Sequence, residues 1–153
     1  MPAKDSAGIS PDFLTEAENL CRQQGVRLTG LRRAILEILT SADFPIKAYD
    51  IIEHMRDKGK RVTPATIYRT LAFLLQNGLV HRVNSLNAYV PCTAKHSNHV
   101  LLMFICSECQ KTTEIDDQTL YNSMQARLKE LGMSLQDSCI EIQGICKECT
   151  QYG

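Results

Sequence analysis

Two pairs of cysteines, each pair separated by two residues, constrain this chain more than any other feature of its sequence. The first pair is Cys106 and Cys109, and the second is Cys146 and Cys149. Two intervening residues let both sulfurs of a pair reach one ion at about 2.3 Å without straining the turn. Four thiolates leave no open position on the metal, so the two pairs predict a structural zinc site with four cysteine ligands.

Redox-active dithiols, or unrelated surface cysteines, are the alternative interpretation of the two pairs. The chain has seven cysteines, and cysteines in a reducing compartment usually bind metal or carry out redox chemistry. A thioredoxin-type pair begins a helix after a βαβ pattern, and we expect neither pair to do so. Zinc is therefore favoured. Cys21 and Cys139 each lie alone in an apolar pattern, and we expect both to pack in the core.

Apolar residues recur at helical spacing in four segments of the first half of the chain. N-terminal caps are predicted for three of these helices. The first is capped by Ser10 with Pro11, the second by Thr29, and the fourth by Thr63 with Pro64. The third helix is predicted over about 48–58, and Gly25 and Gly78 end the first and fourth. After Gly78 the apolar period changes to two, which predicts a β-hairpin. Helices followed by a hairpin predict a winged-helix domain.

The second half of the chain predicts a small α+β domain. Residues 91–98 are polar and are typical of a linker. Strands are predicted near 100–105, 112–115 and 139–143, with an amphipathic helix at about 117–131. The sequence therefore predicts an α+β protein with a winged-helix domain over 1–92, a hinge over 93–99 and a second domain over 100–153.

The charges are distributed unevenly although the formal net charge is zero. Residues 22–82 contain eleven Lys and Arg against five Asp and Glu, whereas residues 93–153 contain five against eight. The first half could therefore bind a polyanion. Arg69 lies on the polar face of the fourth predicted helix, and Lys60 and Arg61 precede that helix. A recognition helix reads base edges with such side chains while nearby cations hold phosphates, although a solvated charged face is the alternative.

A second, looser group of metal-ligand types begins in the hairpin and continues beyond it: His81, Cys92, His96, His99 and Glu114. A mixture of imidazole, thiolate and carboxylate suits zinc. Each of these residues is also common without a metal, as a hydrogen-bonded histidine, a small core thiol or a solvated carboxylate. Their spacing alone leaves both interpretations open.

Membrane insertion and the common enzyme classes are not indicated. The longest apolar run, 100–106, is far shorter than the roughly 18 residues of a membrane-spanning helix, and we expect a cytoplasmic protein. A phosphate-binding glycine loop and a nucleophile elbow are both missing from the sequence. We therefore expect neither enzymatic activity nor a small-molecule substrate.

Several motifs occur in order along almost the whole chain. They are Arg-Leu-Thr-Gly-Leu-Arg-Arg at 27–33, Ala-Tyr-Asp at 48–50, Thr-Pro-Ala-Thr-Ile-Tyr-Arg-Thr-Leu at 63–71, Gly-Leu-Val-His-Arg-Val at 78–83, and the two cysteine pairs. Together these motifs resemble the Fur family of metalloregulators. The tract Asn-His-Val-Leu-Leu at 98–102 and the hairpin ending Tyr-Val-Pro-Cys at 89–92 resemble the zinc-responsive members rather than the iron-responsive ones.

The resemblance implies a homodimeric, zinc-responsive repressor that binds palindromic operator DNA and controls zinc uptake genes, with two Zn²⁺ per chain. By motif, the two cysteine pairs match the structural zinc ligands, and the regulatory ligands match His81, Cys92, His99 and Glu114. Tyr49 and Arg69 match DNA-contacting positions, beside which we place Thr66, Tyr68, Lys60 and Arg61 as further DNA-binding candidates. His96 is outside the matched set. A related regulator of iron, manganese or peroxide is the alternative, and the Cys92 thiolate discriminates against it because iron and manganese prefer harder ligands.

Overall fold

A computed structural model describes residues 12–92, 101–136 and 139–152. These residues form two compact units, one within 12–92 and the other within 101–152. Helices and strands are both present, in agreement with the predicted α+β class. The predicted hinge lies outside the described residues. No helix in the described ranges is long and apolar enough to cross a membrane.

The first unit begins with four helices: α1 (Phe13–Gln23), α2 (Gly30–Thr40), α3 (Ala48–Asp57) and α4 (Pro64–Gln76). The caps predicted at Thr29 and Thr63 are confirmed, because each side chain accepts a hydrogen bond from a backbone N–H three residues later. Gly25 and Gly78 follow the ends of α1 and α4 with φ of 70° and 69°, which other residues rarely adopt. The cap predicted at Ser10 and Pro11 lies outside the described residues.

The core of the first unit is built from the apolar faces of these helices. Ile35, Ile51, Ile67 and Leu74 are completely buried, and Cys21 is buried with them as predicted. A buried side chain of the size of Ile or Leu contributes about 1.5–3 kcal/mol to stability. Arg32 on α2 is half-buried although it is charged, with its guanidinium 3.4 Å from the centre of the Phe73 ring.

A hairpin completes the first unit. Strands β1 (Val80–Val83) and β2 (Ala88–Pro91) pair antiparallel, with Val80 opposite Pro91. Pro91 therefore belongs to β2 and not to the predicted linker. Ile46 and Tyr89 exchange two backbone hydrogen bonds of 3.0 and 2.8 Å, which attach the segment before α3 to the hairpin. This combination of helices and hairpin is a winged helix.

The second unit is a three-stranded sheet with two helices, and its elements are β3 (Leu101–Cys106), β4 (Thr112–Ile115), α5 (Gln118–Glu130), β5 (Cys139–Gly144) and α6 (Lys147–Tyr152). The strand order is β4-β3-β5, with β3 antiparallel to β4 and parallel to β5. Asp117 caps α5 by accepting the Leu120 N–H at 2.9 Å. The sequence did not predict α6. Cys139 is only half-buried at the start of β5, so its predicted place in the core is wrong.

Candidate metal centres and nucleic-acid interface

The structure brings Cys106, Cys109, Cys146 and Cys149 together in the second unit. Their sulfur atoms all lie within 4.8 Å of one another. Cys109 Sγ and Cys146 Sγ are 3.8 Å apart, far beyond the roughly 2.05 Å of a disulfide. Two sulfurs on a tetrahedral zinc, each at about 2.3 Å from the ion, are separated by about 3.8 Å. The donor set and its spacing therefore fit a structural zinc site.

The turn between β3 and β4 positions the first cysteine pair. Cys106 is the last residue of β3, and its backbone N–H donates to the Lys111 carbonyl at 3.0 Å. Its carbonyl accepts the Gln110 N–H at 2.9 Å. Gln110 closes the turn with a φ of 62°, in the left-handed region. The turn thus places Cys109 beside Cys106 on one side of the hairpin.

The start of α6 positions the second pair. The Thr150 N–H donates to the Cys146 carbonyl at 2.9 Å, and this bond closes the first turn of the helix. Residues three apart on a helix share one face, so Cys149 lies on the same side as Cys146. The expectation that neither pair begins a helix is therefore wrong for the second pair. The nearby sulfurs of the first pair still distinguish the site from an isolated dithiol.

Backbone contacts join the two pairs. The parallel pairing of β3 and β5 places Gly144 opposite Cys106. The N–H and the hydroxyl of Ser107 both donate to the Gly144 carbonyl, at 2.8 and 2.9 Å. A Cβ on Gly144 would lie 2.8 Å from Cε2 of Phe104, so a larger residue would require the ring to move. The Cys146 N–H approaches Cys106 Sγ at 3.4 Å.

The electrostatics of the four thiols favour a bound cation. Hydrogen bonds from the backbone N–H groups of Cys109 and Cys146 lower the pKa of Cys106 to about 6. Hydrogen bonding to Cys146 and burial raise the pKa of Cys149 to about 12. Neighbouring thiolates repel one another, so all four ionise together only when a cation compensates their charge. A divalent ion that prefers sulfur supplies this compensation.

Lys111 also belongs to this centre, and sequence reasoning missed it. Its Nζ lies 2.8 Å from Oε2 of Glu148 in α6. The pKa of Lys111 is raised, first by this hydrogen bond and the charge of Glu148, and then by Coulombic attraction to Cys109 and Cys146. An isolated lysine two residues beyond a cysteine pair carries no recognisable sequence signal, because the contact depends on a residue 37 positions away.

The described residues of the second predicted group belong to both units. His81 on β1 and Cys92 after β2 belong to the first unit, and their ligand atoms lie within 4.8 Å of each other. Cys92 is buried, and its N–H donates to the Leu79 carbonyl at 2.9 Å, which extends the hairpin pairing. Glu114 is half-buried in β4 of the second unit, opposite Met103. His96 and His99 lie outside the described residues.

The predicted DNA-binding residues lie on the surface of the first unit. Tyr68 and Arg69 are exposed on α4, and Tyr49 is exposed on α3. Arg69 Nε approaches the Ala65 carbonyl at 3.4 Å, so its side chain follows the helix towards its N-terminal end. Thr66 is half-buried, and its hydroxyl lies 2.8 Å from that of Thr63 within the helix cap.

Three cations line a shallow cavity at the end of α3 and in the segment that follows it. Lys60 and Arg61 lie in the segment that leads into α4, Arg56 lies in the last turn of α3, and all three are exposed. Sequence reasoning missed Arg56, whose only signal was a positive charge in the last turn of a predicted helix. Clustered cations of this kind are typical of phosphate contacts.

Comparison with known proteins agrees with these features. The model of the ferric uptake regulator family matches residues 23–143. The zinc uptake regulation protein of Escherichia coli (strain K12) is 35% identical over 141 residues, covering 92% of this chain and 82% of that protein. A solved structure of a zinc uptake regulator complexed with zinc and DNA matches with a TM-score of 0.83 at 34% identity, covering 92% of this chain and 95% of that one. The peroxide operon regulator of Bacillus subtilis (strain 168) is 29% identical over 138 residues, covering 90% of this chain and 94% of that protein.

Proposed function

The chain belongs to the ferric uptake regulator family, and we propose that it is a zinc-responsive transcriptional repressor that binds palindromic operator DNA as a homodimer. It acts on zinc uptake genes. The observation that carries the choice of metal is the buried thiol of Cys92, whose sulfur lies within 4.8 Å of a ring nitrogen of His81. The similarity to the zinc uptake regulation protein of Escherichia coli supports the same choice.

Each chain binds two zinc ions in this proposal. The first is held by Cys106, Cys109, Cys146 and Cys149, and it cross-links the turn after β3 to the start of α6. The second is regulatory, and its ligands are His81, Cys92, His99 and Glu114. A bound zinc supplies a rigid link between its ligands. The imidazole and thiolate that lie together in the hairpin support the second assignment, because zinc favours nitrogen and sulfur donors.

The helix α4 is the proposed recognition helix. Tyr68 and Arg69 read base edges in the major groove, with Thr66 beside them, while Tyr49, Lys60 and Arg61 contact the flanking DNA. The exposure of Tyr68, Arg69 and Tyr49 supports this assignment. The excess of Lys and Arg in residues 22–82 attracts the phosphate backbone.

Dimerisation is assigned to the second unit. Strand β5 lies at an edge of the sheet, and Ile142 on it is exposed. Other large apolar side chains of this unit are also exposed, namely Leu120, Leu131, Met133 and Ile145. An open sheet edge beside exposed apolar side chains is typical of an interface. A second copy of the chain covers them in the proposed dimer.

The proposed regulatory ligands come from both units, so an ion that binds all four restrains one unit against the other. Operator DNA requires the two recognition helices of a dimer at a fixed separation. Zinc therefore reduces the ordering cost of DNA binding, and zinc and operator bind with positive coupling. By linkage, operator DNA tightens zinc binding by the same factor.

Two alternative functions are less well supported. The similarity to a peroxide operon regulator is compatible with a related sensor of iron, manganese or peroxide, but the Cys92 thiol favours zinc over those metals. A thiol redox enzyme needs an accessible thiolate of low pKa. Cys106 has the low pKa but is completely buried. We therefore propose no enzymatic activity.

A gel-shift titration of palindromic operator DNA against buffered zinc tests the proposal. We expect zinc to tighten operator binding by the unsubstituted protein, with two zinc ions per chain at saturation. Cys92→Ser and His81→Ala should remain folded and dimeric, retain one zinc per chain and lose the zinc response. Cys139→Ser is the matched control and should respond normally. Tight operator binding by Cys92→Ser without added zinc, or stimulation of the unsubstituted protein by iron or manganese but not zinc, would contradict the assignment.

A further inference from the structure

The side chain of Lys111 lies where the two cysteine pairs meet. Its backbone carbonyl accepts the Cys106 N–H at 3.0 Å, so the first pair fixes its position. Its ammonium contacts Glu148, which lies between the cysteines of the second pair, at 2.8 Å. Lys111 therefore connects the two halves of the four-sulfur cluster through both its backbone and its side chain.

The ion pair with Glu148 does not by itself explain this arrangement. Both partners are solvent-accessible, with side-chain exposures of 35% for Lys111 and 69% for Glu148. Ion pairs as exposed as this one contribute little to stability. Lys111 follows Cys109 by two residues, and Glu148 lies between Cys146 and Cys149 in the sequence. The contact with Glu148 therefore holds the ammonium near the four-sulfur cluster.

We propose that Lys111 is a positioning residue of the four-cysteine zinc centre, whose ammonium offsets the negative charge of the thiolates and so slows zinc loss. Four thiolates around one Zn²⁺ carry a net double negative charge. A cation near the cluster lowers the energy of that charged assembly relative to the open, metal-free one. Glu148 holds the ammonium in place. This inference rests on the proposed structural zinc site.

The test uses the full-length, zinc-loaded protein in the presence of a chelator. Zinc loss is followed as the alkylation rate of Cys106, Cys109, Cys146 and Cys149, resolved by peptide mass spectrometry. This readout reports on these four cysteines alone. Lys111→Met removes the charge and keeps most of the length of the side chain, and Lys111→Arg keeps the charge. Lys129→Met, on α5 of the same unit, is the matched control.

We expect Lys111→Met to accelerate alkylation about five-fold, which is the effect of one unit charge about 4 Å away at the dielectric constant of bulk water. Lys111→Arg should stay close to the unsubstituted rate, and Lys129→Met should not differ from it. The difference caused by Lys111→Met should shrink in high salt, since the Debye length falls from about 10 Å at 0.1 M to about 3 Å at 1 M. A purely structural contact would not show this salt dependence.

Glu148→Gln separates the charge of Lys111 from its link to α6. This variant breaks the ion pair but keeps the ammonium, and we expect less than about a two-fold change in alkylation rate, as for an exposed ion pair. Equal acceleration of alkylation by Glu148→Gln and Lys111→Met would overturn the proposed electrostatic effect of Lys111. The contribution of Lys111 would then be only its structural link to Glu148. Equal rates in Lys111→Met and the unsubstituted protein, with cysteines protected by zinc, would overturn the role of Lys111 alone. Cysteines left unprotected after zinc loading of the unsubstituted protein would refute the zinc centre itself.

Discussion

Replacing Cys106 with serine tests whether the four-cysteine centre holds the second unit together. Among the described residues of this unit, the large buried side chains are Leu102, Met103 and Ile105, and α5 contributes none. At about 1.5–3 kcal/mol each, these three stabilise the unit by about 5–9 kcal/mol before any entropy cost is counted. A structural zinc contributes on the order of 10 kcal/mol or more. We therefore expect Cys106→Ser to unfold the second unit and abolish dimerisation.

Hydrogen exchange read by mass spectrometry distinguishes the two units in this experiment. In Cys106→Ser, amides of β3, β4 and β5 should lose their protection, while those of α2 and α4 in the first unit keep most of theirs. Sedimentation should show a monomer, and metal analysis should show that one zinc is lost. Cys139→Ser makes the same chemical change in the same unit outside the four-sulfur cluster, and it should remain a protected dimer.

Retention of protection, dimerisation and operator binding by Cys106→Ser would refute this reasoning. It would show that the apolar contacts of β3 are sufficient for folding and that the second unit is stable without a complete set of zinc ligands. Equal unfolding of Cys139→Ser would also refute it, because the loss would then follow from removing any thiol in this unit.

Three further substitutions test the first unit. Arg69→Ala should weaken operator binding by about 1–3 kcal/mol and flatten the sequence preference, as loss of a base contact does; competition gel shifts with altered operators measure both effects. Lys60→Ala should weaken binding to all DNA alike and lower the slope of log K against log salt by about one, so an equal, sequence-independent loss in both variants would reduce Arg69 to a phosphate contact. Thr63→Ala removes the hydroxyl that caps α4, and chemical denaturation should show a stability loss of about 1 kcal/mol; no change would mean that the cap is dispensable.

Local sequence signals determined most of the helices and their ends. Thr29 and Thr63 cap α2 and α4 as their sequences predict, and Asp117 caps α5. Caps and helical periodicity involve residues three or four apart, so the sequence contains the whole interaction. The family motifs, and the types of ligand in both metal-ligand groups, are likewise identifiable from the sequence alone.

The sequence did not predict the structure correctly where an element was short, or where the burial of a side chain depended on residues far away in the chain. Helix α6 has six residues and no apolar period, so nothing in its sequence distinguished it from a loop. Cys139 lies in an alternating apolar strand but is only half-buried, because β5 forms an edge of the sheet in this chain. Arg32 is polar by type, yet its contact with Phe73 on another helix draws it partly into the core.

The sequence by itself determined that four thiols would be available in two closely spaced pairs, but only the tertiary structure decided that the pairs meet. The parallel alignment of β3 with β5 brings Gly144 opposite Cys106, and the small size of Gly144 leaves room for the Phe104 ring. The same alignment places Lys111 beside Glu148. These contacts join residues far apart in the chain. Strand order and register fix them, and local periodicity carries no information about which strands become neighbours.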